Sequence, residues 1–269
     1  MASSDVSALC EVWWAHLGHV RPEQAELLDP HQVRRLRRLV RAEDRARLVL
    51  AAALARTVIA RELSCAPQAV RFDRTCATCG GQHGKSAVVE GGGLEMSVSH
   101  SGSWVVVAVA RQPVGVDVEE RQPGLDTIAL AEHVLSATES RVLSGLPFEA
   151  REAAFLRYWT RKESVLKATG DGLRVPMDAL TVSAPAESAA LRHWRSRPEM
   201  SDRVRLIDLD GPAGSTASVA VLDCPAVQVR ELDGSSLVGL VGSRGGGRSR
   251  AIPQRPVREP SGPGVACRR

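Results

Sequence analysis

Aromatic residues are scarce in this chain of 269 residues, where Phe, Tyr and Trp together make up 3%. A core here has to be filled by Leu, Val and Ala. The hydrophobic content of 43% is nevertheless ordinary for a globular protein. Long apolar runs are missing too. None approaches the roughly 20 residues that span a bilayer, so no membrane partner is expected. Met1 to Cys10 has no basic segment followed by an apolar one. No secretory signal is read there, and the cytoplasm is the default location. Six cysteines lie scattered at 10, 65, 76, 79, 224 and 267, which is no disulfide framework of a secreted miniprotein. Charge is not strongly one-signed either, at +4. The positive charge is bunched, however, in Arg34, Arg35, Arg37, Arg38, Arg41, Arg45 and Arg47. Such a segment is a solvated helix face or an anion site. No aromatic residues interleave it, and no zinc-finger or helix-turn-helix spacing is present, so a nucleic-acid partner is not expected.

Periodicity divides the chain. His31 to Val40 and Ala42 to Leu63 read as helices, the second with Leu50, Leu54, Val58 and Ile59 as its apolar stripe. The segment before them is mixed. Short strands are read at Ala87 to Glu90 and Glu95 to Ser99, then Trp104 to Ala110 and Val114 to Glu119, so that Ser97 to Glu119 forms an antiparallel meander. Gln122-Pro123-Gly124 opens a loop. Thr127 to Leu135 reads as helix, and Ser136-Ala137-Thr138-Glu139 has the spacing of a capping box. Phe148 to Thr169 is a strong helix closed by Gly170. Strands follow at Ala179 to Ser183, Arg203 to Leu209, Ser215 to Leu222 and Val227 to Leu232. From Gly234 onward Gly, Ser, Arg and Pro dominate, and disorder is expected.

The chemistry concentrates in two places. In Gly115-Val116-Asp117-Val118-Glu119 the valines alternate with Gly115, Asp117 and Glu119, which puts both acids on one strand face. Two such carboxylates repel unless a cation or proton lies between them. In Trp159-Thr160-Arg161-Lys162-Glu163-Ser164-Val165-Leu166-Lys167, Glu163 and Lys167 share a helix face. They form either a surface ion pair or, with the strand acids, a site for a hard divalent ion and a phosphate. Trp159 reads as core packing. Cys76-Ala77-Thr78-Cys79 with His83 supplies three of the four ligands of a structural zinc site. The alternative there is a turn-rich loop.

Both segments resemble the signature motifs of the surfactin-type 4'-phosphopantetheinyl transferases. Val98-Ser99-His100-Ser101-Gly102 is similar to a third element of that family. Gly84-Lys85-Ser86 is similar to a fourth, with Ser where the family has Pro. The resemblance runs from about residue 25 to about residue 225, with the motifs in the family's order.

It implies an α/β (α+β) protein of two similar halves related by a pseudo-twofold axis. Residues 1–112 would carry the coenzyme A phosphate-binding elements, 113–233 the metal-binding and catalytic motifs, and 234–269 the tail. The active site would lie between the halves. It implies Mg²⁺ on Asp117, Glu119 and Glu163. Arg35, Arg47, Lys85, Ser99, His100 and Lys167 would hold coenzyme A, with Ser99 and His100 in an anion-facing turn. Lys167 would also act in catalysis, and Glu163 or Glu139 would serve as base. Glu139 has the plain reading of a helix cap beside this. The implied reaction moves the 4'-phosphopantetheine group of coenzyme A to a serine of an apo acyl, polyketide or peptidyl carrier protein, releasing 3',5'-ADP. The carrier would dock near Leu125, Ile128 and Leu130. A monomer is expected, since the small trimeric enzymes of the same chemistry are about half this length. Two other readings stay open: a different Mg-dependent phosphotransferase or phosphodiesterase, and a basic nucleic-acid-binding protein.

Overall fold

A computed structural model describes residues 7–239, except 77, 83 and 122–126. The chain opens with a strand, β1 (Ala8–His16), where no regular element is read from the sequence. Helix α1 (Pro30–Arg38) follows, started by an Asp29 capping box with Gln32. Helix α2 (Ala42–Leu63) stops at Ser64, which adopts a left-handed conformation. The short strands β2 (Phe72–Asp73) and β3 (Ala87–Val88) precede the hairpin β4 (Glu95–Ser101) and β5 (Trp104–Ala110). Strand β6 (Val114–Glu120) comes next, then helices α3 (Thr127–Val134), α4 (Ala137–Ser144) and α5 (Phe148–Thr169). The remainder is β7 (Leu180–Val182), β8 (Leu191–Trp194), α6 (Met200–Arg203), β9 (Val204–Asp208), β10 (Ser215–Leu222), β11 (Val227–Asp233) and α7 (Ser235–Gly239).

The protein is mixed α/β, and one plan occurs twice. In the first part β1, β5 and β4 are neighbours in that order, each pair antiparallel. In the second, β6, β10 and β9 repeat the order and the antiparallel pairing. Each three-stranded unit carries one 22-residue helix, α2 or α5. The layers run α2, first sheet, second sheet, α5. Leu50, Leu54, Val58 and Ile59 of α2 pack on Val105, Val107 and Val109 of β5. The opposite faces of β1 and β5 meet Val114, Val116 and Val118 of β6 together with Val219 and Val221 of β10. Phe155, Val165 and Leu166 of α5 close the other side with Ala220 and Leu222.

The meander read over Ser97 to Glu119 is corrected. β4 and β5 pair, but the chain leaves that sheet at Gln112-Pro113, and β6 takes β10 as its ladder partner from Val114 to Glu120. A full antiparallel ladder with β10 satisfies more backbone groups than a continued meander that would leave β10 without β6. The last strand crosses back. β11 pairs in parallel with β1, Ala8 opposite Val227 through Trp14 opposite Asp233. Order also continues past 233. Val238 of α7 is fully buried on the α2 core, and its carbonyl accepts from Gln24 Nε2. The disorder expected from Gly234 onward therefore does not hold for residues 234–239, because Val238 finds a place in the core. Residues 240–269 lie outside the described residues.

Candidate active site

The alternation read on β6 holds. Val116 and Val118 enter the inter-sheet core, while Gly115, Asp117 and Glu119 face α5. Gly115 is what lets α5 come close. A Cβ there would lie 2.0 Å from the Ser164 carbonyl oxygen and 2.3 Å from the Ala168 nitrogen. With no side chain in the way, the helix carries Lys167 onto the strand. Its Nζ donates to Asp117 Oδ1 at 2.6 Å, Ser99 Oγ at 3.0 Å and the Val116 carbonyl at 3.2 Å.

Three serines of β4 line the seam between the sheets. Ser97 Oγ accepts from Val116 N, and Ser99 Oγ donates to Asp117 Oδ1 at 2.7 Å. Ser101 Oγ donates to Glu119 Oε2 at 2.6 Å and accepts from Glu120 N. Hydroxyls at every second residue thus act between two strands that share no ladder. Ser97 and Ser101 are not among the site residues expected from the sequence. Their period of two in Ser97-Val98-Ser99-His100-Ser101 is the signal that could have shown them.

The acids remain electrostatically frustrated. Burial raises the Glu119 pKa to about 7, and the charges of Asp117 and Glu163 add to this against the Ser101 hydrogen bond and Lys167. Glu163 is also raised, first by burial and then by Asp117, with Lys167 opposing. Asp117 is buried, and its Oδ2 has no hydrogen-bond partner. An orphaned carboxylate oxygen beside two acids of raised pKa is an all-oxygen donor set short of positive charge, which suits a hard divalent cation such as Mg²⁺. The three do not form a closed cage in this arrangement, where Lys167 stands against Asp117. Among the described residues no group of three His, Cys, Asp or Glu has metal-holding geometry. Of the zinc reading, Cys76 is buried, Cys79 is exposed and His83 lies outside the described residues.

Positive charge gathers nearby. His100 belongs to β4 and not to a turn, so alternation sends it to the face opposite Ser99, toward α2. Its pKa is held low by desolvation and by the charges of Lys167, Arg47 and Arg35. Arg47 Nε donates to the Gly102 carbonyl at 2.7 Å, and the same guanidinium pairs with Asp44. The turn itself is at Gly102, where φ is +51° and a Cβ would strike the Glu120 carboxylate. Arg35 is exposed and lines an open cavity of about 570 Å³ with His31, Arg74, Gln82, Gly84 and Ser86. Lys85 is committed elsewhere, paired with Glu95 at 2.9 Å and donating to the Ala168 carbonyl at 3.0 Å.

Glu139 does not join the cluster. It is fully buried, and its capping box with Ser136 is formed. Its Oε1 accepts from Val182 N, and its Oε2 accepts from Ser136 N and meets Lys162 Nζ at 2.5 Å. Both carboxylate oxygens are bonded, as the plain capping reading requires. Lys162 gains a place from the same contact. Its buried ammonium also donates to the carbonyls of Val134 and Met177, tying α5 to the end of α3 and to the turn before β7. Trp159 packs partly buried on the α5 core. Leu130, expected at an exposed docking face, packs on that core as well, because α3 lies against α5. Leu125 and the side chain of Ile128 lie outside the described residues.

Comparison with known proteins places the chain in a family. Residues 14–112 match the model described as 4'-phosphopantetheinyl transferase, N-terminal, and residues 113–216 match the 4'-phosphopantetheinyl transferase superfamily. The chain is 30% identical to 4'-phosphopantetheinyl transferase Sfp of Bacillus subtilis over 58% of this chain and 66% of that one. It is 38% identical to 4'-phosphopantetheinyl transferase psf-1 of Bacillus pumilus over 40% and 46%. With 4'-phosphopantetheinyl transferase HetI of Nostoc it shares 32% identity over 63% and 72%. The match thus spans less than two thirds of the two Bacillus relatives. Both parts of the repeat are nevertheless matched, and 72% of a relative at 32% identity is covered, so the chain belongs to the 4'-phosphopantetheinyl transferase family.

Proposed function

We propose that this protein transfers the 4'-phosphopantetheine group of coenzyme A to a serine hydroxyl of an apo carrier protein and releases 3',5'-ADP. The observation that carries the reading is the convergence of Asp117, Glu119, Glu163 and Lys167 at one sheet seam, beside His100 and the charges of Arg47 and Arg35. Asp117, Glu119 and Glu163 would hold Mg²⁺, and the orphaned Asp117 Oδ2 supports that assignment. The ion supplies charge neutralisation at a pyrophosphate. The chain's own residues do the rest. Arg35, Arg47 and His100 draw the phosphates of the nucleotide end toward the cavity at α1, with Ser99 on the neighbouring face of β4. Lys167 places a fixed cation where charge grows on the leaving 3',5'-ADP oxygen. Lys85, held by Glu95 and the Ala168 carbonyl, keeps its third N–H for a phosphate. With Glu139 enclosed, Glu163 is the carboxylate to take the serine proton. The protein would work as a cytoplasmic monomer on fatty-acid, polyketide or nonribosomal-peptide carriers.

The test is incubation with coenzyme A, Mg²⁺ and a panel of apo carriers, followed by intact mass. Gain of one phosphopantetheine group with matching release of 3',5'-ADP is expected. Coenzyme A cleavage without any protein acceptor would overturn the reading in favour of a phosphodiesterase.

A further inference from the structure

We propose that Lys167 is the resident counter-cation of the metal-free acidic site, so that a divalent ion binds only by displacing its ammonium from Asp117. The inference rests on the metal reading given above and concerns the protein before coenzyme A arrives.

An ammonium has three N–H donors. All three are taken up within this seam, by Asp117 Oδ1 at 2.6 Å, Ser99 Oγ at 3.0 Å and the Val116 carbonyl at 3.2 Å. Nothing is left over for a phosphate oxygen. To serve a pyrophosphate, Lys167 has to release at least one of these acceptors. The Asp117 contact is the shortest, and it is charge-assisted, hence the strongest of the three. That same carboxylate is the most buried of the acids, and its second oxygen has no partner. Held alone, Asp117 would be an uncompensated buried charge beside Glu119 and Glu163, which is costly. Lys167 therefore supplies in the empty site the charge that an ion supplies in the loaded one. A divalent cation drawn to the bare Asp117 Oδ2 and an ammonium 2.6 Å from Oδ1 of the same carboxylate repel each other, so the ion competes with the lysine for that carboxylate. The lysine side chain is 28% exposed while the carboxylate is 4% exposed, so the lysine is the partner able to swing out. It then stands near His100, Arg47 and Arg35 as a free donor. Loading of the acids and arming of the phosphate-binding lysine become one event.

The experiment is calorimetric titration of the full-length protein with Mn²⁺, without coenzyme A, for wild type, Lys167→Met and Lys167→Arg. Methionine keeps the stem and removes the charge. Binding to Lys167→Met should be tighter by about tenfold or more, the order by which one adjacent charge shifts a carboxylate equilibrium. Lys167→Arg, which keeps a cation there, should stay near wild type. Metal-free Lys167→Met should also melt lower than wild type and regain more on adding Mn²⁺. With saturating coenzyme A the order should invert, Lys167→Met binding the nucleotide more weakly. Equal or weaker Mn²⁺ affinity in Lys167→Met would overturn the displacement while leaving the metal assignment standing. No Mn²⁺ binding by any of the three, nor by wild type with coenzyme A present, would overturn both. If Lys167→Met fails to fold, Lys167→Gln carries the same comparison.

Discussion

Asp117 and Glu139 are both buried carboxylates with a lysine at hydrogen-bond distance, and they behave differently because of what else touches them. Glu139 has both oxygens occupied, whereas Asp117 has one oxygen bare. We expect Asp117→Ala to leave the protein folded by circular dichroism and to reduce transfer by at least about a hundredfold, since a carboxylate of the proposed metal site is lost. Activity near wild type at saturating Mg²⁺ would refute the assignment. Glu139→Ala should do the reverse. It strands the buried Lys162 ammonium and should cost about 3–5 kcal/mol of stability in denaturant unfolding. Adding Lys162→Met to Glu139→Ala should restore part of that loss, because the stranded charge is gone. Motif reading placed Lys162 beside Glu163 but supplied no partner for it. The partner lies 23 residues upstream in another helix, and local spacing carries no information about that meeting.

Helix α5 is the element on which the site depends, and it is fixed at both of its faces. On the β6 side Gly115 sets its distance. Gly115→Ala should therefore push the helix away, lowering stability by about 1–3 kcal/mol or more and abolishing transfer along with it. A thermal scan showing no change would mean that α5 has room to spare. On the β9 side the fully buried Arg161 makes a two-pronged contact with Asp208 at 3.0 and 2.6 Å, and Arg157 joins at 3.0 Å. Burial works to raise the Asp208 pKa, but the Arg161 hydrogen bonds and the charges of Arg161 and Arg157 outweigh it and leave the group below its ordinary value. The sign follows from this depression. The stabilisation is complete above the ordinary aspartate pKa of about 3.9 and is lost as pH falls through the lower folded value. Asp208→Asn should flatten this acid limb of the unfolding free energy and also weaken the protein at neutral pH. An unaltered slope below about pH 4 would show that Asp208 does not contribute to it. The boundaries of α5 could be read from its residues alone, Phe148 to Thr169 with Gly170 as its stop. The helix is long, strongly patterned and closed by a left-handed glycine.

At the scale of the whole molecule the first and last described strands meet. Trp14 Nε1 donates to Glu231, and Gly234 N donates to the Trp14 carbonyl. Ending the chain after Asp233 removes Val238 from the core and should cost about 1.5–3 kcal/mol for that burial. Ending it after Gly239 keeps these contacts and should be the more stable of the two truncations by thermal unfolding. Equal melting temperatures would mean that α7 contributes nothing. The sequence by itself determined on which local face the proposed site residues lie. Asp117 with Glu119 follows the period of a strand, and Glu163 with Lys167 follows that of a helix; both are set by backbone geometry within a few residues. The family resemblance drew on the same short motifs. Tertiary structure decided the partners. It decided that β6 joins β10 and not β5, that β11 returns to β1, that Glu139 belongs to Lys162 and that Lys167 stands on Asp117. Each of these depends on which apolar faces are covered and which backbone groups find a ladder. Those requirements are met by residues far apart in the chain, so they exist only once the layers have assembled.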